Sequence, residues 1–286
     1  MPIGEVGVRR RGGNGTALAV QSDDGRKTSV ADDTMVRVDR VSKSFFRPNK
    51  NGGVTEICVL SDVSFDVRRS EFVSIVGPSG CGKTSLLRAV AGLLPIDSGS
   101  VEVAGRRVTG PGPERAVVFQ EPTLLPWATT LDNAAFGLKL RGVSKSERRR
   151  RAQAALELVG LGDRADAVPQ ELSGGMRQRV GIARALTVDP DVLLMDEPFG
   201  SLDEITRRKL QEELVRIWEH DKKTVIFITH SVDEALFLSD RIIVMGTRPG
   251  RVIDTITEML PRPRTRDQES SEAFIALRTK IWSALS

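Results

Sequence analysis

Alternating apolar and polar side chains mark the first ordered part of the chain. Residues 35–41 and 59–67 alternate as half-buried strands do, and residues 72–76 form the continuous apolar run of a strand buried on both faces. The polar stretch 47–53 between the first two, rich in Asn and Gly, predicts a hairpin loop. The pattern therefore predicts an antiparallel β-region followed by a buried strand.

Beyond residue 83 the apolar spacing becomes helical. Leu86, Val90 and Leu93 lie on one face, and Pro95 is expected to end this helix. Apolar runs then alternate with amphipathic stretches, with predicted strands at 100–104, 116–119, 192–195, 225–229 and 242–245 and predicted helices at 131–140, 144–161, 176–186, 205–219 and 232–238. This alternation favours a parallel α/β sheet, to which the early antiparallel strands and a helical stretch at about 121–187 are additions.

Composition narrows the class of protein. The 286 residues are 40% hydrophobic and 28% charged, as in soluble globular proteins, and the net charge of +4 is too small to make nucleic acid the expected partner. Two cysteines, Cys58 and Cys81, are typical of a reducing compartment. Because apolar runs fall short of the ~18 residues that cross a bilayer and residues 16–20 are too few for a signal peptide, we expect a soluble cytosolic protein. Residues 1–34, rich in Gly, Ser, Asp and Arg, are expected to be a mobile extension.

A phosphate-binding loop is the strongest chemical signal. Gly77 to Thr84 matches G-x-x-x-x-G-K-[ST], directly after a buried strand and directly before a helix. Glycines let backbone N–H groups surround phosphate oxygens, and the helix N-terminus adds the positive end of its dipole. Lys83 can reach the β- and γ-phosphates, and the Thr84 hydroxyl can ligate Mg²⁺. The alternative, a Gly-rich turn with a surface lysine, is disfavoured by the flanking strand and helix. The predicted nucleotide-binding residues are Gly77, Pro78, Ser79, Gly80, Cys81, Gly82, Lys83, Thr84 and Ser85.

Further polar side chains follow three other predicted strands. They are Gln120, the pair Asp196 and Glu197, and His230. Ligands of open α/β sheets bind outside the carboxyl ends of the strands, so these groups converge on the nucleotide if their strands lie beside 72–76. Asp196 is then the natural Mg²⁺ ligand, and Glu197 can orient or deprotonate the attacking water. His230 can donate to the γ-phosphate or hold the water; taken alone it is more often structural, and an Asp-Glu pair is often a solvated turn.

A second anion site is predicted at the start of another helix. Ser173, Gly174 and Gly175 open the helix at 176–186 without a lysine of their own. An ordinary N-cap serine after a turn explains the cluster equally well when it is considered alone.

With these motifs in view, the chain resembles the nucleotide-binding subunits of ABC transporters over about residues 36–262. Walker A, Q-loop, signature, Walker B, D-loop and switch histidine occur in the family's order, at Gly77–Thr84, Gln120, 172–178, 192–197, 201–203 and His230. The resemblance implies an α/β P-loop NTPase (RecA-like) core at 35–262. It also implies a small antiparallel β-region, an inserted α-helical subdomain at about 121–187 and a C-terminal tail at 263–286.

Within that family, four stretches resemble importers of the nitrate, sulfonate and taurine type: 110–115, 124–127, 132–137 and 248–251. The resemblance implies a Mg²⁺-dependent ATPase that powers import of a small solute through a separate membrane permease. A separate substrate-binding protein is implied, as is a peripheral place on the cytoplasmic face of the inner membrane. Nucleic acid is not expected as a partner. The alternatives are a non-transport ABC ATPase that acts on nucleic acid or ribosomes, which usually has two cassettes or a long insertion, and a small-molecule kinase, which lacks the signature cluster.

The resemblance also assigns roles that one chain cannot complete. In the family two subunits pair head to tail, and ATP lies between the Walker motifs of one and the signature motif of the other. Ser173, Gly174, Gly175 and Met176 would face the partner's ATP, with Met176 where Gln is commoner. Asp203 would touch the opposite subunit.

Three further expectations come from the same resemblance. Phe45 would stack on adenine where the family usually has Tyr, a residue this chain lacks. Gln120 would join Thr84 and Asp196 at Mg²⁺. A helical segment at 121–127 would form part of the groove that receives a coupling helix of the permease.

The arginines at 148–151 and 262–266 are expected to be exposed, the first group on a helix face and the second group in the tail.

Overall fold

The computed structural model describes residues 33–49 and 53–285, so the predicted extension lies almost entirely outside the described part. The strands are β1 (Thr34–Pro48), β2 (Val54–Arg68), β3 (Phe72–Val76), β4 (Ser98–Val103), β5 (Arg106–Arg107), β6 (Arg115–Val118), β7 (Val192–Asp196), β8 (Thr224–Thr229), β9 (Arg241–Gly246) and β10 (Arg251–Ile256). The α-helices are α1 (Lys83–Ala91), α2 (Thr130–Leu140), α3 (Lys145–Leu158), α4 (Gly174–Thr187), α5 (Glu204–Asp221), α6 (Val232–Leu238) and α7 (Glu272–Leu285).

The strands form two sheets within the described residues. One is antiparallel, in the order β2-β1-β4-β5. The other has the order β10-β9-β3-β8-β7-β6, in which β9, β3, β8, β7 and β6 run parallel and β10 is antiparallel to β9. The predicted fold class, a parallel α/β sheet with an added antiparallel β-region, is confirmed.

The parallel sheet is buried on both faces. All five residues of β3 are buried, which agrees with the continuous apolar run in its sequence. One hydrophobic cluster joins the sheet to α2–α5, where Phe72 packs edge-on against Trp218 at a ring-centroid distance of 5.8 Å. A second cluster lies between the parallel strands, α1 and the antiparallel sheet. The core therefore holds the strands whose carboxyl ends carry the predicted site.

The helical layer begins later than predicted. Residues 121–127 contain no helix. Helix α2 begins at Thr130, and its N-cap residue is Thr129, whose side chain accepts a hydrogen bond from the Asp132 N–H at 3.1 Å. Pro122 and Pro126 interrupt this segment, because proline lacks an N–H and restricts the residue before it. The predicted helical segment at 121–127 is therefore wrong, whereas α2, α3 and α4 occupy the predicted helical stretch.

The first helix ends earlier than predicted. Gly92 has φ of 75°, and its N–H donates to the Ala89 carbonyl, so the helix stops at Ala91 instead of continuing to Pro95. A glycine in the left-handed conformation is a frequent helix terminator. Pro95 lies beyond an end that is already formed.

The arginines at 262–266 are not exposed, contrary to expectation. Arg264 is 8% exposed, and its guanidinium donates to carbonyls of Leu236, Phe237 and Ser239 at the end of α6 and to that of Leu260. A helix C-terminus carries unpaired carbonyls and a partial negative charge, which an arginine satisfies. The following α7 buries Phe274 and Ile281 in a cluster with α6 and β9. None of the described helices is both long enough and apolar enough to span a bilayer.

Candidate nucleotide-binding site

The loop between β3 and α1 has a shape that only glycine allows at two positions. A Cβ atom on Gly77 would lie 2.6 Å from the backbone oxygen of Met245 on the adjacent strand β9. Gly82 has φ of 96°, and a Cβ there would lie 2.7 Å from a methyl group of Leu60. The glycines of the motif are therefore required by close packing against β9 and β2 as well as by the turn itself.

The start of α1 is suited to bind an anion. Gly82 is the N-cap residue, no side chain caps this end of the helix, and the first turn contains no acidic residue. Lys83 is buried, and its ammonium group donates to the carbonyls of Gly77 at 2.8 Å and Pro78 at 3.2 Å. First-turn N–H groups without an intrahelical partner and a nearby ammonium are the donor set that phosphate oxygens need. The loop residues Pro78, Ser79 and Gly80 are exposed, and Ser85 is half-buried.

The strand ends converge as predicted. Strand β3 pairs with β8, β8 with β7 and β7 with β6, all in parallel. Their carboxyl ends therefore carry the phosphate-binding loop, His230, Glu197 and Gln120 along one edge of the sheet. The expectation that these groups lie at one edge is confirmed.

Thr84 and Asp196 form the pair suited to a magnesium ion. The Thr84 hydroxyl donates to the Asp196 carboxylate at 3.0 Å, which places two oxygen donors side by side at the base of the loop. Burial is the main cause of a raised pKa at Asp196, although the Thr84 hydrogen bond opposes it. Mg²⁺ takes oxygen ligands and fills its remaining positions with phosphate oxygens and water. The two side chains fit that requirement.

Glu197 contacts the neighbouring strand β8, the lysine at the start of α1 and the histidine that follows β8. Its N–H donates to the Ile228 carbonyl of β8 at 3.0 Å, and its φ of 43° is unusual for a residue with a side chain. Such a conformation costs roughly 1–3 kcal/mol and is held by its surroundings. One carboxylate oxygen, Oε1, lies 3.7 Å from the Lys83 ammonium, and the other, Oε2, lies 3.1 Å from Nδ1 of His230. Glu197 therefore lies between Lys83 and His230, and the His230 side chain is 59% exposed.

Gln120 lies beside the loop that follows Glu197. Its Nε2 is 3.3 Å from the point where a Cβ on Gly200 would stand. Gln178 of α4 donates to the carbonyl of Phe119 at 3.2 Å, so α4 is attached to the residue before Gln120. The position of Gln120 is compatible with the predicted role near Mg²⁺, which stays a prediction.

The residues Ser173 to Met176 are not brought to the phosphate-binding loop. Ser173 is the N-cap of α4 and accepts from the Met176 N–H at 3.3 Å, and both Ser173 and Gly174 are exposed. A Cβ on Gly175 would lie 2.6 Å from the methyl carbon of Thr206 on α5. Within residues 33–49 and 53–285, no hydrogen bond or ion pair joins this cluster to residues 77–84.

A surface cavity of about 380 Å³ adjoins the same cluster. Arg164, Arg179 and Lys209 line it together with Ser173 and Gly175, among other residues. Arg164 and Arg179 form ion pairs with Asp163, which also lines the cavity, and with Glu213, so the groups there that favour an anion are the helix N-terminus and Lys209.

Asp203 and Phe45 occupy positions that leave their predicted roles untested. Asp203 is the exposed N-cap of α5 and accepts from the Thr206 N–H at 3.0 Å, and that backbone hydrogen bond is the main cause of a lowered pKa. Phe45 is 40% exposed on β1, and the Lys43 ammonium lies 5.5 Å from its ring centroid. Contact with an opposite subunit and stacking on adenine stay predictions.

Sequence reasoning missed a residue that covers the loop. Gly250 donates to the Val59 carbonyl, accepts from the Ser61 N–H, and leaves only 2.1 Å between a Cβ placed on it and the Cys81 carbonyl. The turn before β10 is thereby fixed against the phosphate-binding loop. Its signal was the Pro249-Gly250 pair, which is typical of a turn. Burial raises the pKa of the Cys81 thiol, which packs beneath the loop.

Sequence reasoning also missed the residues that surround His230. Thr229, Ser231 and Glu234 form hydrogen bonds with one another, and Arg207 approaches them from α5. The signal was the spacing Ser231-x-x-Glu234, which is typical of a capping box at a helix start. The structure uses it differently, because the Glu234 carboxylate turns towards Thr229 and not towards the Ser231 N–H.

Comparison with known proteins agrees with this geometry. The family model described as ABC transporter matches residues 60–200. An uncharacterised ABC transporter ATP-binding protein of Methanocaldococcus jannaschii is 46% identical over 267 residues, covering 93% of this chain and 97% of the relative. The taurine import ATP-binding protein TauB of Rhizobium johnstonii is 51% identical over 231 residues, covering 79% of this chain and 88% of the relative.

A solved structure has the same architecture. It is a dimeric ATP-binding cassette in a post-hydrolysis state, bound to ADP and Pi, with a TM-score of 0.68 and 32% identity. The likeness covers 78% of this chain and 98% of that one. Together with the phosphate-binding loop and the carboxylate, histidine and glutamine at the neighbouring strand ends, these comparisons show that the chain belongs to the ATP-hydrolysing, ATP-binding subunits of ABC transporters.

Proposed function

We propose that this chain is the ATPase subunit of an ABC importer for a small anionic or zwitterionic solute, and that it works on the cytoplasmic face of the inner membrane. The observation that carries the proposal is the convergence of Lys83, the Thr84–Asp196 pair and the Glu197–His230 pair at one edge of the sheet. The 51% identity to a taurine import protein supports taurine, a sulfonate, nitrate or a similar solute.

The residues divide the work of hydrolysis between them. The N–H groups at the start of α1 and the Lys83 ammonium hold the phosphates of ATP. Thr84, Asp196 and Gln120 hold Mg²⁺, which neutralises phosphate charge when it is bound. Glu197 accepts a hydrogen bond or a proton from the attacking water, and His230 fixes the position of that carboxylate and of the γ-phosphate.

A second copy completes the site. Ser173 is exposed at the N-terminus of α4, and neither it nor Gly175 contacts the phosphate-binding loop of its own chain among the described residues. In a head-to-tail pair, Ser173, Gly174, Gly175 and Met176 contact the γ-phosphate held by the other subunit, Asp203 lies at the shared surface, and Phe45 stacks on adenine. The dimeric likeness bound to ADP and Pi supports this assembly.

The helical layer supplies a surface for the permease. Trp127 is 79% exposed, and with Phe136 it lines a cavity of about 550 Å³ beside Lys139, Arg148 and Arg149. An exposed tryptophan in a groove is typical of an interface. The permease docks there as a separate chain, and a separate binding protein delivers the solute.

The test compares the purified chain with the complex it forms. We expect Mg²⁺-dependent ATP hydrolysis that Lys83→Ala abolishes and that Lys280→Ala, a substitution on the exposed side of α7, leaves unchanged. In liposomes that contain the co-purified permease, hydrolysis is expected to drive uptake of a labelled sulfonate or nitrate in the presence of the binding protein. Stimulation of hydrolysis by nucleic acid or ribosomes without a co-purifying permease would contradict the proposal, as would transfer of the γ-phosphate to a molecule other than water.

A further inference from the structure

A closed set of three hydrogen bonds surrounds the backbone of His230. The Thr229 hydroxyl accepts from the Ser231 N–H at 3.0 Å and donates to the Glu234 carboxylate at 2.5 Å. The Ser231 hydroxyl in turn accepts from the Glu234 N–H at 3.3 Å. Both neighbours of His230 are therefore bound to each other and to the first turn of α6, so the histidine has little freedom to change its backbone position.

Glu234 connects this arrangement to α5. Its carboxylate is buried, and the second oxygen accepts from Nε2 of Gln211 at 2.9 Å and lies 3.8 Å from the Arg207 guanidinium. Arg266 donates to Oε1 of the Gln211 side-chain amide at 2.6 Å, which fixes the orientation of that amide. A buried carboxylate is costly unless each oxygen is hydrogen-bonded, and here both oxygens are.

Arg207 extends the same network to the loop that follows Glu197. Its guanidinium donates to the Leu202 carbonyl at 2.8 Å and to the Phe199 carbonyl at 3.3 Å. These two carbonyls enclose Gly200 and Ser201, in the segment that leads from Glu197 to Asp203. One connected set of side chains, in which Thr229 and Glu234 are buried and Arg207 is 30% exposed, therefore contacts the backbone on both sides of the Glu197–His230 contact.

We propose that Glu234 is a positioning residue that sets His230 against Glu197 by holding the two loops through Thr229 and Arg207. The proposal rests on the proposed function, in which Glu197 and His230 act on the water and the γ-phosphate. Glu234 itself touches neither of them by a hydrogen bond within the described residues, and its effect passes through the Thr229 hydroxyl and the Arg207 guanidinium.

Two substitutions separate the hydrogen bond from the shape of the side chain. Thr229→Val keeps the volume and removes the hydroxyl, whereas Thr229→Ser keeps the hydroxyl. We expect Thr229→Val and Glu234→Gln to lower kcat for ATP roughly tenfold and to leave KM within about twofold, because neither side chain belongs to the phosphate-binding loop. Thr229→Ser and the control Asp233→Asn, an exposed carboxylate beside Glu234 on α6, are expected to keep the activity of the unsubstituted chain.

A spectroscopic measurement follows His230 directly. The chain contains two histidines, and His220 lies at the far end of α5 with its side chain 79% exposed. In the full chain, labelled in histidine and free of any histidine tag, the His220 ring signal is an internal reference. We expect Thr229→Val and Glu234→Gln to shift the His230 ring signal without nucleotide, and to leave the His220 signal in place.

The outcomes are distinguishable. A shifted His230 signal together with a reduced kcat in Thr229→Val, with both preserved in Thr229→Ser, supports the proposal. A His230 signal that does not move in the folded Thr229→Val and Glu234→Gln chains overturns it, even if kcat falls, and so does a moved signal with an unchanged kcat. If the unsubstituted chain hydrolysed no ATP, the proposed function would fail, and the histidine spectra alone would decide whether Glu234 positions His230.

Discussion

The Glu197 carboxylate and the His230 ring are in direct contact, with Oε2 of Glu197 3.1 Å from Nδ1 of His230. The two residues follow the neighbouring parallel strands β7 and β8, and the other carboxylate oxygen lies 3.7 Å from the Lys83 ammonium. The Glu197 carboxylate therefore lies between the Lys83 ammonium and the His230 ring. In the proposed mechanism, this contact connects the group that accepts a proton from water to the lysine that binds the phosphates.

Replacing the proton acceptor should separate ATP binding from hydrolysis. In Glu197→Gln the amide retains a contact with His230 but cannot accept a proton, so we expect hydrolysis to fall by about 100-fold or more while ATP still binds. Closed dimers should then accumulate with ATP, which size-exclusion chromatography detects. The exposed Glu258→Gln is the control, and a normal rate of hydrolysis in Glu197→Gln would show that the carboxylate has another role.

The contact between Gly175 and Thr206 makes a prediction about stability. A methyl group on Gly175 would overlap the Thr206 methyl group, so we expect Gly175→Ala to lower the free energy of unfolding by about 1–3 kcal/mol. Thr206→Ser removes the obstructing methyl group and should restore most of the loss in the double variant. Urea unfolding of the two single variants and the double variant measures this coupling. Simply additive losses would mean that the two residues do not interfere.

The stability of the structure around the end of α6 should depend on the guanidinium group of Arg264. Burial, then the nearby Arg262, lower the pKa of this guanidinium to about 10, yet it donates to carbonyls at the end of α6. A lysine cannot reach all of them, so we expect Arg264→Lys to cost about 2 kcal/mol of unfolding free energy. The exposed Arg251→Lys should leave urea unfolding unchanged. Equal unfolding midpoints for the two variants would contradict the inference that these carbonyls need the guanidinium.

A surface cluster on α3 gives a prediction about pH. Hydrogen bonds from Arg150 and then Arg151 lower the pKa of Glu147 from 4.5 to about 2. Because the folded pKa lies below the unfolded one, the contribution of Glu147 to stability is present above about pH 4.5 and is lost as the pH falls towards 2. We expect Glu147→Gln to lower the Tm slightly at pH 7 and to have a vanishing effect near pH 2. A difference in Tm that is independent of pH would exclude this cause.

Local residue chemistry was a sufficient guide to much of the site. The loop from Gly77 to Thr84 could be recognised from the sequence because its glycines, lysine and threonine all belong to one short segment between a buried strand and a helix. The N-cap at Ser173 was likewise among the interpretations that the sequence offered, since an N-cap acts over three residues. The prediction of a helix at 121–127 was wrong because the helical interpretation of the surrounding stretch was given more weight than the two prolines in this segment, Pro122 and Pro126.

The sequence by itself determined most of the strands and helices up to β9 and the phosphate-binding motif at residues 77–84, because periodicity and turn chemistry are local properties. Only the tertiary structure decided the strand order β9-β3-β8-β7-β6, which brings Lys83, Glu197 and His230 together from sites far apart in the chain. The same is true of Arg264 at the end of α6 and of Glu234 between two loops. Their partners are buried carbonyls and side chains from distant segments, and no local pattern in the sequence encodes which of these will meet.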